Sequence, residues 1–560
     1  MSHAPTGSTK PPWGLLVVIL AATFMQLLDV SIVNVASPDI QRTLGASYGL
    51  VQLVLAGYQL GFACSLILAA RLGDIFGRRR LFLMGMAVFT IASITCGLSV
   101  NIQMLIASRV LQGVGSALMF SQVLALIQVL FQPKDRAAAF GGYGTAIGLG
   151  SIMGPLAGGL LIQANLTADP WRAIFLVNVP IGVAAFVIAA LRLPESKAEQ
   201  RPGLDFTGAI LSAIGLGLLI YPLSEGRTYG WPAWSLLMLG GAVVVLAVLV
   251  MYERRLARAG GDPIFDTRLF ADRAFRDGAL LNFVFYLGIP SFFFTISIYL
   301  QVGQGFSALQ AGLTTFAYAL GAALVSCRAG GLARKMGAGV LVMGSVMMTV
   351  AMAGLVATAH LAGFAPKMWY FWPGMLLAGL AFGFFVPTVI GAVLANVHLQ
   401  RAGSASGVLA TSQQIGGAVG VAILGIVFFG FISGHAPTSA ANAAPALHAQ
   451  LTSQGIPAGA SDAAVARFQH CFVVQSRSVD PTLAPPGCRT AASPAAAQAF
   501  TAAGTQANAT NFTGAMQVGL GAEVLVFAVT VVLSGLLLAE ERRNRGARSQ
   551  VDAQAGLVGH

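Results

Sequence analysis

Charge is what this chain has least of. Asp, Glu, Lys and Arg make up 9% of its 560 residues, against about 25% in a typical soluble domain. So little charge cannot cover a water-facing surface. With 56% of the residues hydrophobic, the solvent for most of the chain is lipid. Cysteine is scarce too, at five residues. Cys64, Cys96 and Cys327 stand in apolar runs as small packing residues, and no Cys/His spacing suits a metal ion. The sequence has no Gly-x-x-x-x-Gly-Lys-[Ser/Thr] loop and no long soluble segment to hold ATP, which excludes a self-contained ATP-driven pump. The net charge of +12 does not point to nucleic acid, because the basic residues lie in short clusters between apolar runs and form no stripe interleaved with aromatics.

What the chain does have is long apolar runs. A helix crossing the hydrocarbon core needs about 20 such residues. Fourteen stretches qualify, near 13–36, 50–70, 81–100, 104–131, 138–163, 174–193, 205–224, 233–252, 277–301, 308–333, 338–361, 369–395, 405–432 and 517–538. The first is too long, and lacks the basic start, for a cleavable signal. With the N-terminus inside, 24 of the 32 Lys and Arg residues fall on the cytoplasmic side and seven outside. That asymmetry predicts an even number of spans and both termini in the cytoplasm.

A faint repeat runs through the chain. Leu72, Gly77 and Leu81 recur 260 positions later as Leu332, Gly337 and Leu341, with Arg334 in the place of Asp74. Arg136 and Gly142 recur 265 positions later as Arg401 and Gly407. The pattern predicts an all-α membrane protein of 14 transmembrane helices, built as two six-helix bundles with two inserted central helices. The expected divisions are 1–193 for the first bundle, 194–276 for the inserted helices and a cytoplasmic loop, 277–538 for the second bundle and 539–560 for a cytoplasmic tail. The second bundle carries a long external segment, 433–516, rich in Ala, Ser, Thr, Pro and Gly. Its composition predicts too little apolar burial to fold compactly. Cys471 and Cys488 lie in it, and an oxidising exterior would join them in preference to leaving two free thiols.

Between the second and third spans stands Arg71-Leu72-Gly73-Asp74-Ile75-Phe76-Gly77-Arg78-Arg79-Arg80. Glycines allow a tight turn, and Asp74 is placed to meet a helix N-terminus. The fourth span holds Arg109-Val110-Leu111-Gln112-Gly113-Val114-Gly115. The fifth holds Gly150, Gly154 and Gly158 at four-residue spacing, with Pro155 and Gly159 between and beside them. That spacing puts small residues on one helix face for close backbone contact, and a proline bend there predicts a seal between the two bundles ahead of ordinary small-residue packing.

These elements resemble the major facilitator superfamily. The loop of Gly73, Asp74, Gly77, Arg78 and Arg79 is similar to its signature gating loop, and the fifth-span element to that of drug antiporters. Leu28-Asp29-Val30-Ser31-Ile32-Val33-Asn34-Val35-Ala36, with Trp171-Arg172, Asn178, Pro180 and Gly182, resembles the fourteen-helix drug:proton antiporter branch. The resemblance covers the first six spans closely. The second half matches mainly through Gln413-Gln414-Ile415-Gly416-Gly417. It implies a bacterial inner-membrane exporter of amphipathic molecules such as drugs or antibiotics, driven by the proton gradient with no cofactor and no metal; the oligomeric state is not readable from the sequence, a monomer being the expectation.

Ionisable groups in hydrocarbon cost about 2.5–3.5 kcal/mol on insertion scales, so each is a functional suspect. Those within spans are Asp29, Arg109 and Glu523, while Glu225 reads as an interfacial residue reached by water. At 1.5 Å per residue, Asp29 lies roughly 24 Å above the inner end of its span and Arg109 roughly 8 Å below the outer end of its own. Opposite charges at one depth predict a pair. An Arg109 that moves away during the cycle would leave Asp29 free to take up a proton, with Glu523 as a second proton site or a contact for substrate. Polar and aromatic groups inside spans are candidates for the substrate cavity: Gln26, Asn34, Tyr58, Gln59, Gln112, Asn282, Phe285, Tyr286, Gln413 and Gln414. The rivals are an importer or facilitator on the same scaffold, a non-transporting sensor and a membrane-embedded enzyme. The last would need a nucleophile, metal or acid–base cluster, and the sequence spaces none recognisably.

Overall fold

The computed structural model describes residues 11–46, 48–196, 203–226, 229–264, 267–363, 366–395, 397, 402–477, 488 and 494–558, less a few side chains within them, those of Asn34, Pro155 and Cys327 included. Two of the sequence-based candidates, Asn34 and Pro155, therefore have side chains outside the described residues. Lipid offers no partner for backbone N–H and C=O, so helices satisfy them internally, and no strand occurs among the described residues. In the first half these are α1 (Trp13–Thr43), α2 (Tyr48–Phe76), α3 (Arg78–Gly97), α4 (Ile102–Leu130), α5 (Pro133–Ala164), α6 (Ala173–Leu176) and α7 (Asn178–Arg192). Next come α8 (Phe206–Glu225) and α9 (Ala233–Arg258). The second half holds α10 (Arg273–Ile298), α11 (Ala308–Met336), α12 (Gly339–Ala362), α13 (Trp372–Leu394), α14 (Ala402–Ser453), α15 (Ala458–Arg477) and α16 (Pro494–Val558). Among the described residues, twelve helices are long and apolar enough to cross a membrane, and a shorter apolar run, Leu309–Val325, lies in α11.

Helices α1–α4, α6 and α7 pack chiefly within the first half and α10–α16 within the second, while α5 packs as much across the seam as within its own half. The halves meet through α5 with α11 and α13, and through α14 with α2 and α4. Helices α8 and α9 pair, with α8 seated on α2 and α14. Glycine permits the closest crossings. A side chain at Gly113 of α4 would overlap the Tyr58 carbonyl of α2, and one at Gly379 of α13 would overlap the Tyr318 carbonyl of α11. These two crossings correspond: Tyr58 and Gly61 of α2 stand 260 positions before Tyr318 and Gly321 of α11.

The repeat is plainest at two turns. Gly77 (φ 110°) and Gly337 (φ 58°) take backbone conformations that favour glycine. Each turn receives a carboxylate from the end of its own half, Glu195 just beyond α7 and Glu541 within α16. Glu195 accepts from the Arg79 N–H at 3.1 Å, and Glu541 accepts from the Ala338 N–H at 2.8 Å.

The segment 433–516 corrects the expectation from composition. Helix α14 runs through it to Ser453, α15 follows, and α16 begins at Pro494. Ala436, Ala440, Ala443, Leu447 and Leu451 pack on Phe468, Phe472, Ala496, Ala499, Ala503 and Ala507. Alanine has the best helix propensity, and its small side chain lets helices approach closely. Compact packing here needs few large apolar residues. Cys471 of α15 is bonded to Cys488, closing a loop worth about 3 kcal/mol in chain entropy. Replacing both cysteines by serine should leave α14 and α16 folded and raise hydrogen exchange across 458–477 by about tenfold or more. Unchanged protection there would mean that alanine packing alone holds α15.

Candidate functional site

Asp29 of α1 is fully buried, and the side chains bonded to its carboxylate come from α4 and α7 of the first half. Arg109 of α4 donates to one oxygen in an ion pair. Gln112 of α4 donates to the other at 2.9 Å, and Asn178, the first residue of α7, donates to it at 3.0 Å. Ser93 of α3 closes the group by accepting from Gln112 at 2.6 Å and from Asn178 at 3.4 Å. The guanidinium also donates to Gln112 at 2.6 Å and to the Val54 carbonyl of α2 at 3.3 Å. Its flat face lies 4.3 Å from the Tyr58 ring centre and 5.7 Å from that of Phe175. Tyr58 in turn gives its hydroxyl to Ser116 at 2.8 Å.

Arg109, Asp29, Gln112, Asn178 and Ser93 are each at most 1% exposed. A charged pair taken out of water is tolerable only when the remaining lone pairs and protons are also bonded, and this network supplies those bonds. Sequence reasoning brought Asp29 and Arg109 together and placed Gln112 and Tyr58 among polar candidates. It missed Ser93 altogether and noticed Asn178 only as part of a motif. Single Ser or Asn residues in spans are common, so only the helix rotations reveal which of them face the acid.

Glu523 of α16 is also fully buried, and neither carboxylate oxygen has a hydrogen-bond partner in the protein. It lies beside Ser291 of α10, whose hydroxyl is already donated to the Leu287 and Gly288 carbonyls at 2.8 and 2.9 Å. One turn on, Phe527 packs edge-on to Phe285, 5.5 Å between centres. Glu225 departs from its reading as a water-reached residue, being 2% exposed. The chain folds back over the end of α8, with Trp231 N–H donating to the Gly226 carbonyl at 2.6 Å.

The loop at Gly73–Arg80 ties three parts of the chain together. Asp74 accepts from Arg78 at 2.8 Å and from the backbone of Ser404 in the first turn of α14, where helix N–H groups favour an anion. Arg78 also donates to the Ser196 hydroxyl at 3.1 Å, and Arg79 donates to the Ala190 carbonyl. Gly73 leaves room for the Gln122 side chain of α4.

The glycines of α5 are placed otherwise than expected. Gly150, Gly154 and Gly158 face Phe24, Leu27, Ser31, Ile32 and Val35 of α1, within the same half. The seam to the second half uses a different face of α5, where Gly148 approaches Ala319 and Ala322 and Leu156 approaches Gly312. Four-residue spacing defines a face but not its neighbour. Gly159 is half-buried on the same helix.

The remaining cavity candidates divide. Asn282 of α10 donates to Ser412 at 3.0 Å and accepts from Gln413 at 3.3 Å, joining α10 to α14. Gln26 and Tyr286 are buried. Gln59 is exposed, accepting from Ser224 of α8 at 3.5 Å.

Comparison with known proteins follows the same lines. The family model described as Major Facilitator Superfamily matches residues 19–421. The chain is 38% identical to the probable actinorhodin transporter of Streptomyces coelicolor over 97% of this chain and 95% of that protein. It is 30% identical to the tetracenomycin C resistance and export protein of Streptomyces glaucescens, covering 76% and 78%, and 32% identical to the puromycin resistance protein pur8 of Streptomyces alboniger, covering 80% and 88%. The human organic anion transporter MFSD10 (TETRAN) shares the fold at TM-score 0.52 and 18% identity, covering 75% of this chain and 94% of that one.

Two outcomes test this geometry. Arg109→Ala should lower the stability of the purified protein by about 3–5 kcal/mol by stranding Asp29, and adding Asp29→Asn should recover most of it. Thermal melts of the single and double variants measure this, and a double variant no more stable than Arg109→Ala would refute the pairing. Gly154→Leu should reduce folded yield and transport together, because its side chain would collide with Ser31. Normal yield with lost transport would return these glycines to a gate between the halves.

Proposed function

The chain belongs to the Major Facilitator Superfamily, and from that premise we propose that it is a proton-coupled exporter of amphipathic organic molecules across the cytoplasmic membrane. Three relatives are named for moving or resisting actinorhodin, tetracenomycin C and puromycin, which supports an antibiotic-like cargo. Counting α5 and α11 with the twelve apolar helices gives fourteen spans. Residues 1–193 and 277–538 are then two bundles, 194–276 the insertion, and both termini cytoplasmic, as the Lys and Arg asymmetry supports.

One observation carries the coupling mechanism: Asp29 is bonded to a guanidinium and two amides, and nothing in that network is wet. Protonation removes the charge that holds Arg109. The guanidinium keeps Gln112, the Val54 carbonyl and the Tyr58 ring as partners, so it can shift without being stranded. A shift of Arg109 changes how α4 bears on α2, whose far end carries the Asp74 clasp to α14. Proton binding outside and substrate release are thereby linked to the clasp inside. Glu523, a buried acid of the second half, serves as a second proton site. Gly73, Asp74, Gly77, Arg78 and Arg79 act as the inner gate.

Asp29→Asn, reconstituted in vesicles, should fold and exchange substrate down its gradient but lose export driven by a pH difference by about 100-fold or more, the loss given by about 2.7 kcal/mol or more of coupling. Export that still follows the pH difference at the unmodified rate would remove Asp29 from the coupling step.

A further inference from the structure

Three tyrosines reach the seam between the halves, and none has a hydrogen-bond partner for its hydroxyl within the protein: Tyr143 of α5, Tyr286 of α10 and Tyr318 of α11. They are 0%, 8% and 1% exposed. Tyr286 lies within electrostatic reach of both others. Helices α5 and α11 touch one turn away, where Gly148 meets Ala319 and Ala322.

The repeat shows what is unusual about Tyr318. Its counterpart in the first half is Tyr58, whose hydroxyl is donated to Ser116 at 2.8 Å. By the same offset that relates Gly113 to Gly379, the second half has Phe382 where the first has Ser116, and Met375 where it has Arg109. The Tyr318 ring packs on Phe382 at 5.6 Å and on Phe293 at 4.9 Å, so the hydroxyl kept its place and lost its acceptor. A buried hydroxyl without a partner bears the full cost of its desolvation, so a ligand oxygen reaching these three gains hydrogen bonds that the chain does not supply.

The rings around the hydroxyls define the rest of that ligand. Tyr143 meets Phe120 at 6.3 Å, and Tyr286 meets Phe285 at 6.2 Å, which stacks on Phe385 at 3.9 Å. Of the buried acids described above, Asp29 is committed to Arg109, and Glu523 stands a turn before Phe527 with Phe285 beyond it. Flat apolar walls with phenolic donors and acceptors suit an oxygenated aromatic ring, whereas a lipophilic cation would seek the unpartnered Glu523 carboxylate rather than these hydroxyls.

We propose that Tyr143, Tyr286 and Tyr318 are the specificity-determining hydroxyls of the transport pathway, and that they select planar aromatic substrates carrying quinone or phenol oxygens. This rests on the exporter reading and names the substrate class within it.

The test uses the purified full-length protein, with 1,8-dihydroxyanthraquinone and tetraphenylphosphonium as probes in equilibrium dialysis. Each Tyr→Phe change should weaken anthraquinone binding about fivefold, the worth of one hydrogen bond. The triple variant should lose more, while phosphonium binding stays within about twofold. Melting temperatures should hold or rise in each variant, since an unpartnered hydroxyl is removed. Undiminished anthraquinone binding in the triple variant, no binding by the unmodified protein, or equal loss for both probes would overturn the assignment, as would a fall in melting temperature. A separate measurement of pH-driven anthraquinone export in vesicles judges the exporter reading. Binding without export would sink that reading and leave the tyrosine site standing.

Discussion

A carboxylate held out of water against a guanidinium governs the arrangement of the first half. Neither charge is tolerable alone in so dry a place. Five helices are therefore bound to a common point: α1 through Asp29, α4 through Arg109 and Gln112, α7 through Asn178, α3 through Ser93 and α2 through Tyr58 and the Val54 carbonyl. Hydrophobic burial gives no preference for one helix rotation over another in lipid. The polar centre supplies that preference, and close glycine crossings such as Gly113 on Tyr58 then fix the spacing.

The second half uses the same backbone plan with different chemistry. Its glycine turn at Gly337 takes a carboxylate as Gly77 does, and Gly379 lies on Tyr318 as Gly113 lies on Tyr58. Yet Met375 and Phe382 replace Arg109 and Ser116 at the corresponding places. The first half holds the charge pair and one unpartnered hydroxyl, Tyr143, and the second holds an unpartnered acid, Glu523, with the hydroxyls of Tyr286 and Tyr318.

Much of this was legible in the sequence because lipid enforces simple rules. Length and apolarity located the helices, and two opposite charges at one calculated depth located Asp29 and Arg109. What escaped needed rotation or neighbour identity. Ser93 is one of many span serines until α3 is turned toward Gln112. The glycine face of α5 was readable, but the partner it meets, α1, was not. Glu225 sits at a helix end, where water is the natural expectation, yet the chain returns over that end, with the Tyr229 and Trp231 N–H groups bonded to the Glu225 and Gly226 carbonyls. The stretch 433–516 was misread because averaged hydropathy undervalues alanine, which packs by letting backbones approach. Tyr318 became notable only when its repeat mate was seen to have an acceptor that it lacks.

Helix α16 passes without a break from the alanine-packed hairpin into the apolar stretch that follows. The 22 or so residues ahead of that stretch form an arm about 33 Å long, braced by α14 and by the α15 staple. Rocking the second half through ten degrees would sweep its tip by about 6 Å, several times the shift at the pivot. In the proposed topology the hairpin stands outside the bilayer as a pointer, turning small rearrangements within the membrane into a displacement that a surface-attached reporter resolves.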